Sequence, residues 1–197
     1  PSSAFPYETP PGTVAVEGFE SGALSGWIVE DPLPEDNISW QLTQILTYEG
    51  DYSLYFGDPN TLTYLAEPAN PAKATIWSPV FEVPDEAFQI SMASFWLWMS
   101  TEYDGAVEEP DADESFDRLS VWLKPAGLGD AVEMWASVTT VANSTAGKWL
   151  QIGVDLSGYE GQDMRLGFHF DSGDQDGKAI GNASVSYTHL TLPTNQC

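Results

Sequence analysis

The sequence predicts an all-β protein, an antiparallel two-sheet β-sandwich of jelly-roll type. Three observations carry this. Short runs rich in β-branched and aromatic residues recur along the chain, separated by Gly, Pro, Asp and Asn. Several of these runs alternate apolar and polar residues, the period of a half-buried strand. No long segment offers apolar positions at the three-and-four spacing of an amphipathic helix.

Taken in order, the chain opens on PSSAFPYETPP, which is Pro-rich and aperiodic, so residues 1–13 read as an extended linker. Strand-like runs follow: TVAVEGFE, SWQLTQIL, YSLYFG, KATIWSPVFEV, FQISMASFWLWMS, DRLSVWLK, VEMWASVTTV, KWLQIGVDL and DMRLGFHFDS. In the last of these, Met164, Leu166, Phe168 and Phe170 share one face, and Arg165, Gly167 and His169 share the other. From Ile90 to Met99 nearly every residue is apolar or small, as in a central strand covered on both faces. Next comes TEYDGAVEEPDADESFD, whose crowd of carboxylates reads as a solvated excursion.

The end of the chain, VSYTHLTLPT at residues 185–194, poses a separate question. Propensity alone makes Ser184 to Leu192 a strand that Pro193 stops. The same residues also match one reading frame of a transposon-type sequencing-library adapter. Residues 185–197 are therefore expected to be adapter-derived, and the β-sandwich domain to occupy 14–184 with its own C-terminal stretch replaced. On this reading His189 and Cys197 carry no chemistry.

Composition narrows the function. A hydrophobic content of 42% with 8 Trp, 8 Tyr and 9 Phe argues for a packed core. The 30 acidic residues face only 6 basic ones, a formal charge of −24. Nucleic acid and anionic membranes are poor partners for such a surface, whereas cations and neutral glycans remain suitable. The longest apolar candidate, Phe95 to Met99, is far too short to span a bilayer. With Cys197 set aside no cysteine remains, which excludes disulfides, thiolate metal sites and cysteine catalysis within 14–184. His169 stands in an alternating strand, and neither Gly-x-Ser-x-Gly nor His-Glu-x-x-His occurs, so no enzyme is expected.

The order of the pieces is more specific than any one of them. VEGFESGALSGWIVE precedes a strand bearing Trp40, then EGDYSLYFGDP, ATIWSPVFEVP, SFWLWMSTE, FDRLSVWLKPAG and KWLQIGVDLSGYEGQDMRLGFHFDSGD. This succession resembles the MAM-like jelly-roll modules of bacterial exported proteins, of choice-of-anchor or cleaved-adhesin type. It is similar too to accessory domains of immune-inhibitor-A-like secreted metallopeptidases. The resemblance spans nearly all of Val14 to Ser184. It implies a non-catalytic accessory or adhesion module of a larger bacterial protein, outside the cell or on its surface. The partners it implies are other domains of the parent protein, glycans or a cell-surface protein, with no nucleic acid and no membrane insertion.

The resemblance also implies a structural Ca²⁺ tying the first strand to the last, an ion that suits an acidic chain without thiolates. Glu20 matches the family's N-terminal acid, and Asp58 is a second candidate ligand beside Gly57. Asp171, Asp174 and Asp176 in DSGDQDGK are spaced like an acidic cation loop, without the EF-hand register. Against this stands a plainer reading, with Glu20 capping a turn and 171–176 a solvated hairpin tip. For glycan binding the candidates are Trp96, Trp98, Trp122 and Trp135, whose flat faces suit sugar rings unless they are buried in the core.

Overall fold

The computed structural model describes residues 16–34, 38–58, 63–64, 72–85, 91–101, 117–137, 145–172 and 184–191. Its strands are β1 (Val16–Glu17), β2 (Ile28–Glu30), β3 (Ser39–Thr43), β4 (Ser53–Gly57), β5 (Lys73–Trp77) and β6 (Phe81–Glu82). They continue as β7 (Met92–Ser100), β8 (Arg118–Pro125), β9 (Val132–Ala136), β10 (Leu150–Asp155), β11 (Asp163–Asp171) and β12 (Ser184–Thr191). Sheet I runs β10-β7-β12-β4-β3, with β1 also paired to β12. Sheet II runs β2-β5-β11-β8-β9, with β6 also paired to β11. Every one of these pairings is antiparallel. The chain passes between the sheets again and again, as in a jelly roll. The predicted fold class is the observed one.

Alternation in sequence becomes two faces in space. In β11, Met164, Leu166, Phe168 and Phe170 are all buried, as their spacing predicts. Phe168 lies at the centre of the core. Its ring meets Phe95 of sheet I edge-on at 5.1 Å and approaches Trp40 at 6.4 Å and Trp27 at 6.5 Å. The Trp40 indole, reaching across from β3, donates its N–H to the Ala74 carbonyl of β5 at 3.0 Å. One polar bond thus joins the two sheets inside an otherwise apolar interior, where an unmade one would be costly.

Strand β7 corrects one expectation. It is an interior strand, but only one of its faces is sealed: Ala93, Phe95, Leu97 and Met99 are buried, and Ser94, Trp96, Trp98 and Ser100 are half-buried. Aromatic residues of both parities imitate a doubly covered strand. Here the second set faces outward and is only partly covered.

Residues 184–191 form β12, between β7 and β4 in the middle of sheet I. Val185 is in register with Met99 on one side and Phe56 on the other, and the register shifts between Thr188 and Thr191. Backbone groups make such a ladder, and almost any β-prone residues supply them. The linker, the acidic stretch 102–116 and Cys197 lie outside the described residues.

Candidate ligand-binding face

The outer face of sheet I is organised from a turn that precedes β2. Phe19 is buried in the core with φ of 61°, a left-handed conformation unusual for a bulky residue. Two hydrogen bonds hold it there. The Phe19 amide donates to Glu17 Oε1 at 2.6 Å, and its carbonyl accepts from the Gly22 amide at 2.9 Å. With Phe19 anchored inward, the next residue, Glu20, is turned out to solvent.

Glu20 then reaches a loop 31 residues further along the chain. Its carboxylate accepts the backbone amides of Asp51 at 2.9 Å and Tyr52 at 3.2 Å. The loop, which joins β3 to β4, closes on itself as well. Thr47 Oγ1 donates to the Gly50 carbonyl at 3.3 Å, Ser53 Oγ donates to the Leu46 carbonyl at 2.6 Å, and Gly50 takes a φ of 75°. That conformation, with the Glu20 carboxylate packed where a Cβ would stand, suits glycine alone.

The fixed loop lays Tyr48 over β7. Its ring stacks on Trp96, with centroids 4.1 Å apart and planes 15° from parallel, and Trp149 meets Tyr48 edge-on at 5.8 Å. Tyr48 keeps 43% of its surface in solvent. Trp98, two residues from Trp96, is half-buried on the same face. The result is a preorganised aromatic surface laid over β7.

Each sequence candidate can now be placed. Trp96 and Trp98 lie on this face, whereas Trp122 lies on the outer face of sheet II. Trp135 turns inward, edge-on to Phe95 at 6.2 Å, because a register shift between Val121 and Trp122 sets it opposite core-facing Val121. Glu20 binds the backbone of the turn between β3 and β4. Asp58 pairs its backbone with Thr63; burial, with the Asp58 charge adding to it, pushes the Tyr55 hydroxyl above the usual tyrosine range. Asp171 ends β11 on the sheet II face. Asp174 and Asp176 lie outside the described residues.

Among the described residues no three acidic, His or Cys side chains come together as a metal site. Among the described residues Glu20, Asp58 and Asp171 each stand outside any such cluster. Sequence reasoning missed Tyr48, Trp149 and Trp77. Tyr48 sits in the turn TYEGD between two strand-like runs, where only spatial neighbours reveal its purpose.

No protein-family model and no curated protein matches this sequence. Solved structures do share its fold. The K3 cleaved adhesin domain of Lys-gingipain from Porphyromonas gingivalis W83 superposes with a TM-score of 0.56 at 16% identity, covering 93% of this chain and all of that one. The CBM22-1 xylan-binding domain of Paenibacillus barcinonensis Xyn10C gives 0.51 at 16% identity, covering 96% of this chain and all of that one. TmCBM61, solved with β-1,4-galactotriose, gives 0.51 at 11% identity, covering 89% and 94%. The chain is thus a β-sandwich module similar in fold to carbohydrate-binding modules and to an adhesin domain.

Proposed function

We propose that this chain is a non-catalytic glycan-recognition module, an accessory or adhesion domain of a larger exported bacterial protein of the MAM-like, cleaved-adhesin kind. The stacked, exposed Tyr48 on Trp96 carries this reading. Sugar rings present flat C–H faces that pack on aromatic rings, and their rim hydroxyls bond to nearby polar groups. A platform already ordered by Glu20 loses little entropy on binding. The strong negative charge disfavours polyanions and leaves neutral polysaccharides as the ligand class for this face.

The likeness to a xylan-binding domain and to a module solved with a galactotriose supports the same reading at the level of fold. Retention on insoluble neutral polysaccharides, with and without Tyr48→Ala, tests it. Tyr48 is exposed, so the substitution leaves the core intact. Retention that survives Tyr48→Ala unchanged rules out this platform as the site.

A further inference from the structure

The outer face of sheet II holds a second, differently built site. Gly167 of β11 stands in register between Trp77 of β5 and Trp122 of β8. It has no side chain, so the Trp77 indole lies across it where a Cβ would collide with the ring. Trp77 is 5% exposed, and its indole nitrogen finds no hydrogen-bond partner among the described residues. The Lys124 ammonium sits 3.9 Å from the Trp77 ring centre and is held by Glu30 at 3.3 Å. Trp122 is fixed by its indole N–H, which donates to Ser120 Oγ at 2.7 Å.

Between the two tryptophans and Ala131 opens a depression of about 210 Å³, which Thr75 and His169 also line. The same pair lines an adjacent, wider opening of about 490 Å³, whose walls carry Glu30, Asp31, Lys73 and Asp171. The wider lobe alone has the size of a small-ligand site. Thr75 Oγ1 and His169 Nδ1 are bonded at 2.8 Å where the lobes meet. Burial outweighs Asp171 in setting the His169 imidazole below its ordinary pKa of 6.5, and Lys73 and Arg118 add to the effect against Glu133. The ring is therefore uncharged at neutral pH.

The two lobes differ in chemistry. The narrow one is aromatic. The wide one is walled by Glu30, Asp31, Asp171 and Lys73; Glu30 is bound to Lys124, so Asp31 and Asp171 stand against the Lys73 ammonium, in a chain of net charge −24. A cleft of that sign concentrates field for cations. Among the described residues these carboxylates do not converge as a metal site would require; they are spread around an opening. Spread acceptors suit an organic ammonium group better than a bare divalent ion, which needs six to eight oxygens at one point.

We propose that this groove binds a glycan carrying free, protonated amino groups, with one sugar ring against Trp122 and a neighbouring ammonium in the carboxylate-walled lobe. The proposal rests on reading the chain as a glycan-recognition module. A glycan fits this place better than an extended peptide. The aromatic lobe lies over β5, β11 and β8, which are interior strands of sheet II, and the wide lobe also meets Glu30 at the end of the edge strand β2. Over the aromatic lobe the backbone groups are engaged in the sheet ladders, so a peptide finds no edge to extend there.

The test compares calorimetric binding of a β-1,4-linked glucosamine hexamer with that of its fully N-acetylated counterpart, in buffer acidic enough to charge the sugar amine. The free-amine hexamer is expected to bind about tenfold more tightly. Asp171→Asn combined with Asp31→Asn, in which Asn keeps the Oδ1 cap on the Leu33 amide, should abolish that preference. Trp122→Ala should weaken the binding of the free-amine hexamer, and Tyr48→Ala should leave the preference for the free amine unchanged. Equal binding of the two hexamers overturns the proposal, as does a preference that survives the double substitution. So does a groove that takes a lysine polymer and neither sugar. Neutral-polysaccharide retention indifferent to Tyr48 would sink the sheet I reading and leave the amine preference to be judged by Asp171 and Asp31.

Discussion

Tyr48 lies flat against Trp96, with ring centroids 4.1 Å apart, and the loop that holds it there is bound by a carboxylate from a distant turn, that of Glu20. Ordering of the platform therefore depends on a residue that need not touch the ligand. Glu20→Ala should free the 44–52 loop and cost about 1 kcal/mol of stability, at the modest end for bonds to a charged acceptor because the site is wet. Polysaccharide retention should fall together with the Tyr48→Ala variant. The near-ultraviolet dichroism of the Tyr48–Trp96 pair should diminish as well. Chelating divalent ions should not reproduce these changes. A chelator that mimics Glu20→Ala would instead show that the carboxylate works through a metal.

Gly167 offers a second handle. Gly167→Ala puts a methyl group against the six-membered ring of Trp77, and overpacking of this kind costs about 1–3 kcal/mol. The indole can yield only outward, away from its place beneath Lys124. Lower thermal stability and altered tryptophan emission are expected, with weaker binding in the sheet II groove and unchanged binding at Tyr48. An Ala variant as stable as the parent would mean that Trp77 is not held as described.

Phe168 is the natural probe of the core. It meets two rings of sheet I and the Trp27 ring just before β2, and Phe168→Ala should cost about 3–5 kcal/mol through lost transfer energy and the cavity left behind. The urea midpoint should drop while the slope of the transition stays the same. A loss below 1 kcal/mol would indicate a looser interface between the sheets than these contacts describe.

The parts legible in the sequence and the parts that were not divide along physical lines. Strand periodicity is a local property, so the inward set Met164, Leu166, Phe168 and Phe170 could be read directly. Trp96 and Trp98 share a parity, and both do lie on the outer face. Trp135 could not be assigned this way, because the shift between Val121 and Trp122 breaks the alternation across β8 and β9. The hold of Glu20 on the loop was not legible, because its partners, the amides of Asp51 and Tyr52, belong to the backbone and lie far along the chain. Trp77 gave a faint signal through its neighbour. A glycine inside an alternating strand, as in LGFHF, marks a close approach, but it does not name the side chain that approaches.

His169 makes stability depend on pH with a definite sign. Its folded-state pKa is lowered from 6.5 by burial, so the unfolded chain takes up the proton first as the solution is acidified. Stability is then full above the unfolded value and declines as the pH falls through 6.5 toward the folded value. Urea midpoints at neutral and mildly acidic pH should differ more for the parent than for His169→Gln, which retains a polar group for Thr75. Comparing the two removes the shared contribution of His189 and the carboxylates. Identical pH profiles would mean that the imidazole is more hydrated than its position implies.

Strand β12 lies between β7 and β4, so sheet I needs some strand there whatever its origin. Leu54 and Phe56 of β4 and Leu97 and Met99 of β7 are buried on either side of it, and removing 185–197 should expose them and destabilise the fold. Origin is a separate matter, because β-propensity is low in information. A run with Val, Tyr, Thr and Leu pairs well wherever it comes from. The codons carry what the strand cannot. If the stretch is translated adapter, the DNA for residues 185–194 reads GTCTCTTATACACATCTGACGCTGCCGACG without a synonymous change. Several synonymous differences would instead mark β12 as the protein's own closing strand, and would bring His189 back among the residues open to a functional role.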